Sequence, residues 1–223
     1  MSIILPKTRL APTRINPKIL LLYSLPKVGK TSELAKLDDC LILDCESGAD
    51  MYDCLRVNVN SVKDVDELIA AILTEGKAAG GKYPYKYLAL DTTDKMEDFC
   101  EVSATVKFKK TIIGSKFEGD SVLELPKGLG YYYLRNELEL QIDRLARVCQ
   151  HLIITSHVKA KLLTTKGGVE VSSNDISLAG KMGSIICAKV DAIGLKVAAL
   201  LINGYRTILL IAGTPTVKWT ISS

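Results

Sequence analysis

The sequence predicts an α/β fold, a mostly parallel central sheet flanked by helices with antiparallel terminal strands. Three observations lead there. Short apolar runs bounded by turn residues alternate with segments whose apolar residues recur at helical spacing. One strand–turn–helix unit near the start carries the spacing of a phosphate-binding loop. In the last third, two glycine-containing turns separate strand-forming runs, as in hairpins.

The elements follow in chain order. Ile3 to Lys18 is rich in proline and base without periodicity, so residues 1–18 read as an extended basic arm and 19–223 as one domain. Ile19 to Tyr23 is a continuous apolar run too short for a helix, the pattern of a strand buried on both faces. Ser24 to Gly29 is the turn after it, and Lys30 to Leu37 a helix. Cys40 to Asp44 is a second strand and Leu55 to Val59 a third. In Val62 to Leu73, the residues Val62, Val65, Leu68, Ile69 and Ile72 share one helical face. Tyr87 to Leu90 is a strand, Lys95 to Lys109 a helix and Thr111 to Gly130 a long loop. Tyr131 to Val148 is a helix with Leu134, Leu138, Ile142, Leu145 and Val148 on one side, and Leu152 to Thr155 a further buried strand. Lys166-Gly167-Gly168 and Asn203-Gly204 are the two hairpin turns.

Composition narrows the class. The 223 residues are 48% hydrophobic and 24% charged, which supports one sizeable core and excludes a wholly disordered chain. No apolar run approaches the roughly 20 residues of a bilayer span, and the start lacks a leader pattern. The expectation is a cytoplasmic protein with no membrane partner. The cysteines Cys40, Cys45, Cys54, Cys100, Cys149 and Cys187 form no C-x-x-C pair, so they read as reduced, mostly buried thiols. Charge is uneven: residues 1–30 carry six bases and no acids, 31–101 seven bases against sixteen acids, and 102–223 sixteen bases against nine acids. Basic ends of this kind suit a polyanion as well as plain solvent.

The most informative stretch is Ser24, Leu25, Pro26, Lys27, Val28, Gly29, Lys30, Thr31 and Ser32, which matches G-x-x-x-x-G-K-[ST] except for serine in the first glycine position. A loop between a buried strand and a helix start turns successive backbone N–H groups inward, where an anion is held. These nine residues are the expected nucleotide contacts, with Lys30 on the β- and γ-phosphates and the Thr31 hydroxyl on Mg²⁺. Ser24 is the departure, because glycine reaches the conformations of such turns at lower cost. Asp91 ends an apolar strand, the arrangement that holds Mg²⁺ opposite a phosphate loop. Glu46 falls just past the end of another strand, where a carboxylate can orient and polarise the attacking water. A solvated loop acid would have the same local sequence.

The order of these motifs resembles the RecA-like ATPases, in which a glutamate beyond the second strand, here Glu46, is commonly the catalytic base. More closely, the chain resembles phage-type RecA-like ATP-binding proteins that act as single-strand annealing or recombination factors. The resemblance spans most of residues 15–215. It rests on the phosphate loop with Leu43-Asp44-Cys45-Glu46-Ser47-Gly48, Leu90-Asp91-Thr92-Thr93, Ile153-Ile154-Thr155-Ser156-His157-Val158-Lys159 and Lys189-Val190-Asp191-Ala192.

That resemblance implies ATP and Mg²⁺ as cofactors, with hydrolysis to ADP and phosphate. It puts His157 where a polar side chain senses the γ-phosphate. It implies single-stranded DNA as partner, met by Lys159, Lys161 and Lys166, with Lys107, Lys109, Lys110 and Lys116 as a second basic stretch. Tyr131, Tyr132 and Tyr133 offer rings for stacking, though at least one belongs to the core. A homo-oligomer, with Arg206 or Lys218 completing a neighbour's site, and other phage recombination or replication proteins are further implied partners. His151 reads as a surface residue. Two other functions fit a phosphate loop: a small-molecule phosphotransferase such as a nucleoside or nucleotide kinase, and a non-hydrolysing nucleotide-binding assembly protein.

Overall fold

Among the described residues six strands run parallel through the core of the sheet. The computed structural model describes residues 7–8, 17–164, 170–201 and 204–213, with backbone alone for 160–164, 170–174, 197–201 and 204–213. Most of the predicted basic arm and the turn at Lys166 therefore lie outside the described residues. The strands are β1 Ile19–Ser24, β2 Cys40–Asp44, β3 Leu55–Asn58, β4 Tyr87–Asp91, β5 His151–Thr164, β6 Glu170–Ile176, β7 Ala192–Leu201 and β8 Gly204–Gly213. The helices are α1 Lys30–Ala35, α2 Val62–Ala78, α3 Thr93–Lys109, α4 Leu129–Arg147 and α5 Met182–Lys189. Strand order is β3-β2-β4-β5-β1-β7-β8, with β6 on the outer half of β5. All neighbours from β3 to β7 are parallel, whereas β7–β8 and β5–β6 are antiparallel.

Alternation along the strands builds a core on each face. Leu21, Leu41, Leu43, Leu88, Leu90, Leu152 and Ile154 pack beneath α2, α3 and α4. Leu20, Ile42, Ala89 and Ile153 point to the other face, where Leu34 of α1 covers them. This is why the strands read as unbroken apolar runs. Side-chain caps fix the helix starts: Ser61 accepts the Asp64 N–H at the head of α2, and Thr92 the Lys95 N–H at the head of α3.

Several expectations change in detail. The predicted loop over 111–130 contains two short 3₁₀ turns, Val122–Glu124 and Pro126–Gly128, the first closed by a Ser121–Glu124 capping box. The helix α5 was not expected. Met182 and Ile186 bury themselves in the core, but Gly183 and two adjacent β-branched residues weaken the local helix signal. Strand β5 continues well past Thr155, because its outer half finds β6 as a partner once β1 has ended. His151 is partly buried, its Nδ1 2.8 Å from the Pro17 carbonyl oxygen and its ring against Tyr87. The cysteines are all free thiols; Cys40, Cys45, Cys100 and Cys149 are buried, and Cys54 and Cys187 partly so. Among the described residues no helix is long and apolar enough to cross a membrane.

Candidate functional site

The carboxyl ends of β1, β2, β4 and β5 come together at one edge of the sheet, the edge at which α/β folds bind ligands. The loop joining β1 to α1 turns there on two residues of positive φ, Lys27 at 63° and Gly29 at 84°. Ser24 is not one of them. It stays extended as the last residue of β1, so the strain expected from a serine at that position does not arise. Its side chain is used instead, for Ser24 Oγ accepts from Lys30 Nζ at 3.3 Å. Gly29 is required twice over: by its φ, and because a Cβ there would lie 2.7 Å from Ser32 Oγ and 3.3 Å from Lys196 Nζ.

Lys30 is 6% exposed. Burial pushes its ammonium below the ordinary lysine range, and the charges of Asp91, Asp94 and Glu46 act in the opposite sense. Its neighbour Thr31 donates through Oγ1 to Asp91 Oδ2 at 2.6 Å. The other oxygen, Asp91 Oδ1, accepts from Thr155 Oγ1 at 2.5 Å. Thr155 sits on β5, which lies between β4 and β1, so its hydroxyl fills the gap between the aspartate strand and the loop strand.

Glu46 is held by an acid two residues earlier. The buried Asp44 carboxylate accepts the N–H groups of Glu46 and Gly48 at 3.1 Å and of Ala49 at 2.7 Å, curling the chain after β2 so that Glu46 faces β4. Thr92 Oγ1 then donates to Glu46 Oε1 at 2.8 Å. The Asp91–Thr92 peptide between these two contacts is cis. His157, opposite Ser24 in the β1–β5 register, is fixed by Asp94. One oxygen, Asp94 Oδ2, accepts from His157 Nδ1 at 2.6 Å and from its backbone N–H at 2.8 Å, while Oδ1 accepts from Ser156 Oγ at 2.7 Å. A carboxylate partner keeps the proton on Nδ1 and leaves Nε2 for a ligand.

Lys30, Thr31, Glu46, Asp91 and His157 line one cleft of about 460 Å³, together with Pro26, Lys27, Gly29 and Gly48 of the two loops, Thr92 and Tyr52. The profile of the AAA domain family matches residues 16–200, which takes in the whole site. The chain belongs to the AAA domain family. This AAA domain is a nucleotide-binding P-loop ATPase of α/β fold. Among solved structures it is similar to a KaiC-like protein from the hyperthermophilic archaeon Pyrococcus horikoshii OT3, with 14% identity and a TM-score of 0.48 over 92% of this chain and 83% of that one. No curated protein matches the sequence.

Of the lysines expected to meet DNA, Lys159 donates its ammonium to the Leu178 carbonyl, only the backbone of Lys161 is described, and Lys166 lies outside the described residues. Lys107 is engaged by the buried Glu137, both of whose oxygens lie 2.7 Å from it. Tyr133 packs on Phe108 and belongs to the core, while Tyr131 and Tyr132 are exposed. Of Arg206 the backbone alone is described, and Lys218 lies outside the described residues.

Sequence reasoning missed Asp44, Asp94, Thr155 and Lys196. Asp94 looks like any acid in a helix's first turn. Lys196 did carry a signal, as the one charge in the otherwise apolar run Ala192 to Leu201.

Proposed function

We propose that this AAA domain hydrolyses ATP with Mg²⁺ and that its nucleotide state controls binding of single-stranded DNA. The observation that carries the reading is the convergence of Lys30, Thr31, Glu46, Asp91 and His157, drawn from four separate segments, on one cleft. Lys30 holds the phosphates. The Thr31 hydroxyl and the Asp91 carboxylate are two hard oxygen donors side by side, and among the described residues no group of three or more His, Cys, Asp or Glu forms a dedicated metal cage. That donor set suits Mg²⁺, which is commonly held by one or two protein oxygens, substrate phosphates and water. When bound, Mg²⁺ neutralises charge on the phosphates. Glu46 takes a proton from the water that attacks the γ-phosphorus as the bond to the β,γ-bridging oxygen breaks, and Thr92 keeps that carboxylate in place. His157 Nε2 meets the γ-phosphate.

Support for the DNA half is positional. The β5–β6 hairpin begins at Val158, the residue after His157, so a side chain facing phosphate and a strand leading out of the site are adjacent in the chain. The positive excess of residues 102–223 suits a polyanion. The exposed Ile112, Ile113, Tyr131 and Tyr132 lie among Lys109, Lys110 and Lys116 in sequence or across the α3–α4 pair, as a surface for unstacked bases would. With the sequence resemblance, these favour a phage-type recombination or annealing factor that works as a homo-oligomer.

The test is the rate of phosphate release from ATP, with and without single-stranded DNA. Turnover that rises with DNA and vanishes in Lys30→Ala supports the reading. Binding without turnover under both conditions would favour the assembly protein. Transfer of labelled γ-phosphate to a small acceptor would favour the phosphotransferase.

A further inference from the structure

We propose that Lys196 of β7 is a positioning residue that sets the affinity of the phosphate loop for nucleotide. The inference rests on the loop's being the nucleotide site. In the sheet, Lys196 pairs with Ser24, the last residue of β1. Its side chain is 7% exposed, and its ammonium donates to the Gly29 carbonyl at 2.6 Å and to Glu33 Oε1 at 3.1 Å. The same carbonyl accepts from Ser32 Oγ at 2.8 Å and from the Glu33 N–H at 3.3 Å.

Three donors thus converge on the carbonyl of the residue before Lys30. The peptide that carries this oxygen also carries the Lys30 N–H, so holding the oxygen fixes which way that N–H faces. Lysine is rarely buried without a partner, and here both partners belong to the loop and its helix. The charge therefore ties a strand from the far end of the chain to the phosphate loop, an arrangement that a hydrophobic side chain of similar length cannot reproduce. Lys196 acts through the Gly29 carbonyl, so its effect falls on every nucleotide whose phosphates enter the loop. A group that met the γ-phosphate itself would act on ATP alone.

The experiment is titration of ATP and ADP into the wild type, Lys196→Met and Lys196→Arg, with steady-state hydrolysis and thermal unfolding of the same samples. Loss of a charge-assisted hydrogen bond predicts that Lys196→Met weakens ATP and ADP binding alike, by about tenfold or more. Its kcat at saturation should fall by no more than about twofold, and Lys196→Arg should recover part of the affinity. Wild-type affinity in folded Lys196→Met would overturn the proposal even if thermal stability had dropped, since a plain structural brace predicts that pattern. Weakened ATP with unchanged ADP would also overturn it. Should Lys196→Met fail to fold, Glu33→Gln at the partly exposed partner decides: a loss of about threefold or more for both nucleotides supports the proposal, and unchanged affinity overturns it. Failure of the wild type to bind either nucleotide would instead remove the site assignment on which the proposal rests.

Discussion

The hydroxyl of Thr31 donates to Asp91 Oδ2 across 2.6 Å, joining residues 60 positions apart and closing the phosphate loop onto the end of β4. Asp91→Asn keeps the shape and removes the charge. ATP affinity in the presence of Mg²⁺ should then fall by about tenfold or more, while affinity in EDTA changes by less than about twofold. Parallel titrations measure both. An equal loss in the two conditions would assign Asp91 a structural role through Thr155 and not a metal-binding one.

Lys30→Ala should largely abolish nucleotide binding, because loop amides do not replace a fixed positive charge. Glu46→Gln should bind ATP within about twofold of the wild type and lose hydrolysis by about 100-fold or more, since an amide cannot act as a base. Thr92→Val, which leaves the carboxylate intact but unheld, should lower turnover by roughly tenfold. Single-turnover rates alongside equilibrium binding separate the three, and a Glu46→Gln protein that hydrolyses normally would remove the glutamate from the mechanism.

The buried thiols make a pH prediction. Burial pushes Cys40 and Cys45 up to about 12 and Cys149 to about 11, from an ordinary value of 9.0. The folded chain therefore keeps these protons after the unfolded chain has released them. The stability they contribute is complete below about pH 9 and is lost as pH rises toward 12. For Cys45 the loss between pH 8 and pH 10 is on the order of 1 kcal/mol. Urea denaturation at the two pH values should show a smaller loss in Cys45→Ala than in the parent, and identical losses would contradict the assignment. At pH 8, iodoacetamide should modify the partly exposed Cys54 and Cys187 first.

If the β5–β6 hairpin meets the backbone of a single strand, replacing Lys161 and Lys166 with Ala should weaken DNA binding across sequences. The log–log salt slope should shrink by about 0.7 for each phosphate that the variant no longer neutralises. Basal ATP turnover should persist, because both residues follow His157 in sequence and neither belongs to the phosphate loop. Unchanged slope and affinity would move the DNA-binding surface to Lys109, Lys110 and Lys116.

The parallel sheet was legible because burial on both faces leaves no polar alternation: Leu20 serves the α1 side and Leu21 the other, so the run reads apolar throughout. The phosphate loop was legible because its chemistry restricts residue types at fixed spacing. What holds the site together was not. Asp44 and Asp94 act by accepting backbone N–H groups, a role set by chain path and not by local sequence. Ser24 misled because tolerance for a serine depends on φ, and the turn places its positive φ at Lys27 and Gly29. Helix α5 stayed hidden because it spans only eight residues, and Gly183 with the β-branched pair Ile185 and Ile186 lowers its helix propensity.

Strand β1 takes a parallel partner on each side, β5 and β7. At its entrance the Asp191 carboxylate accepts the amides of Lys18 and Ile19. Ile19 and Asp191 are 172 residues apart. At ribosomal speeds that is roughly 10–30 s of synthesis. The first of the described strands to emerge is thus among the last of them to be enclosed, and the run Ile19 to Tyr23 waits as an unpaired apolar segment of the kind that invites wrong pairing. During translation the chain depends on whatever shields that segment until residue 191 has left the ribosomal tunnel.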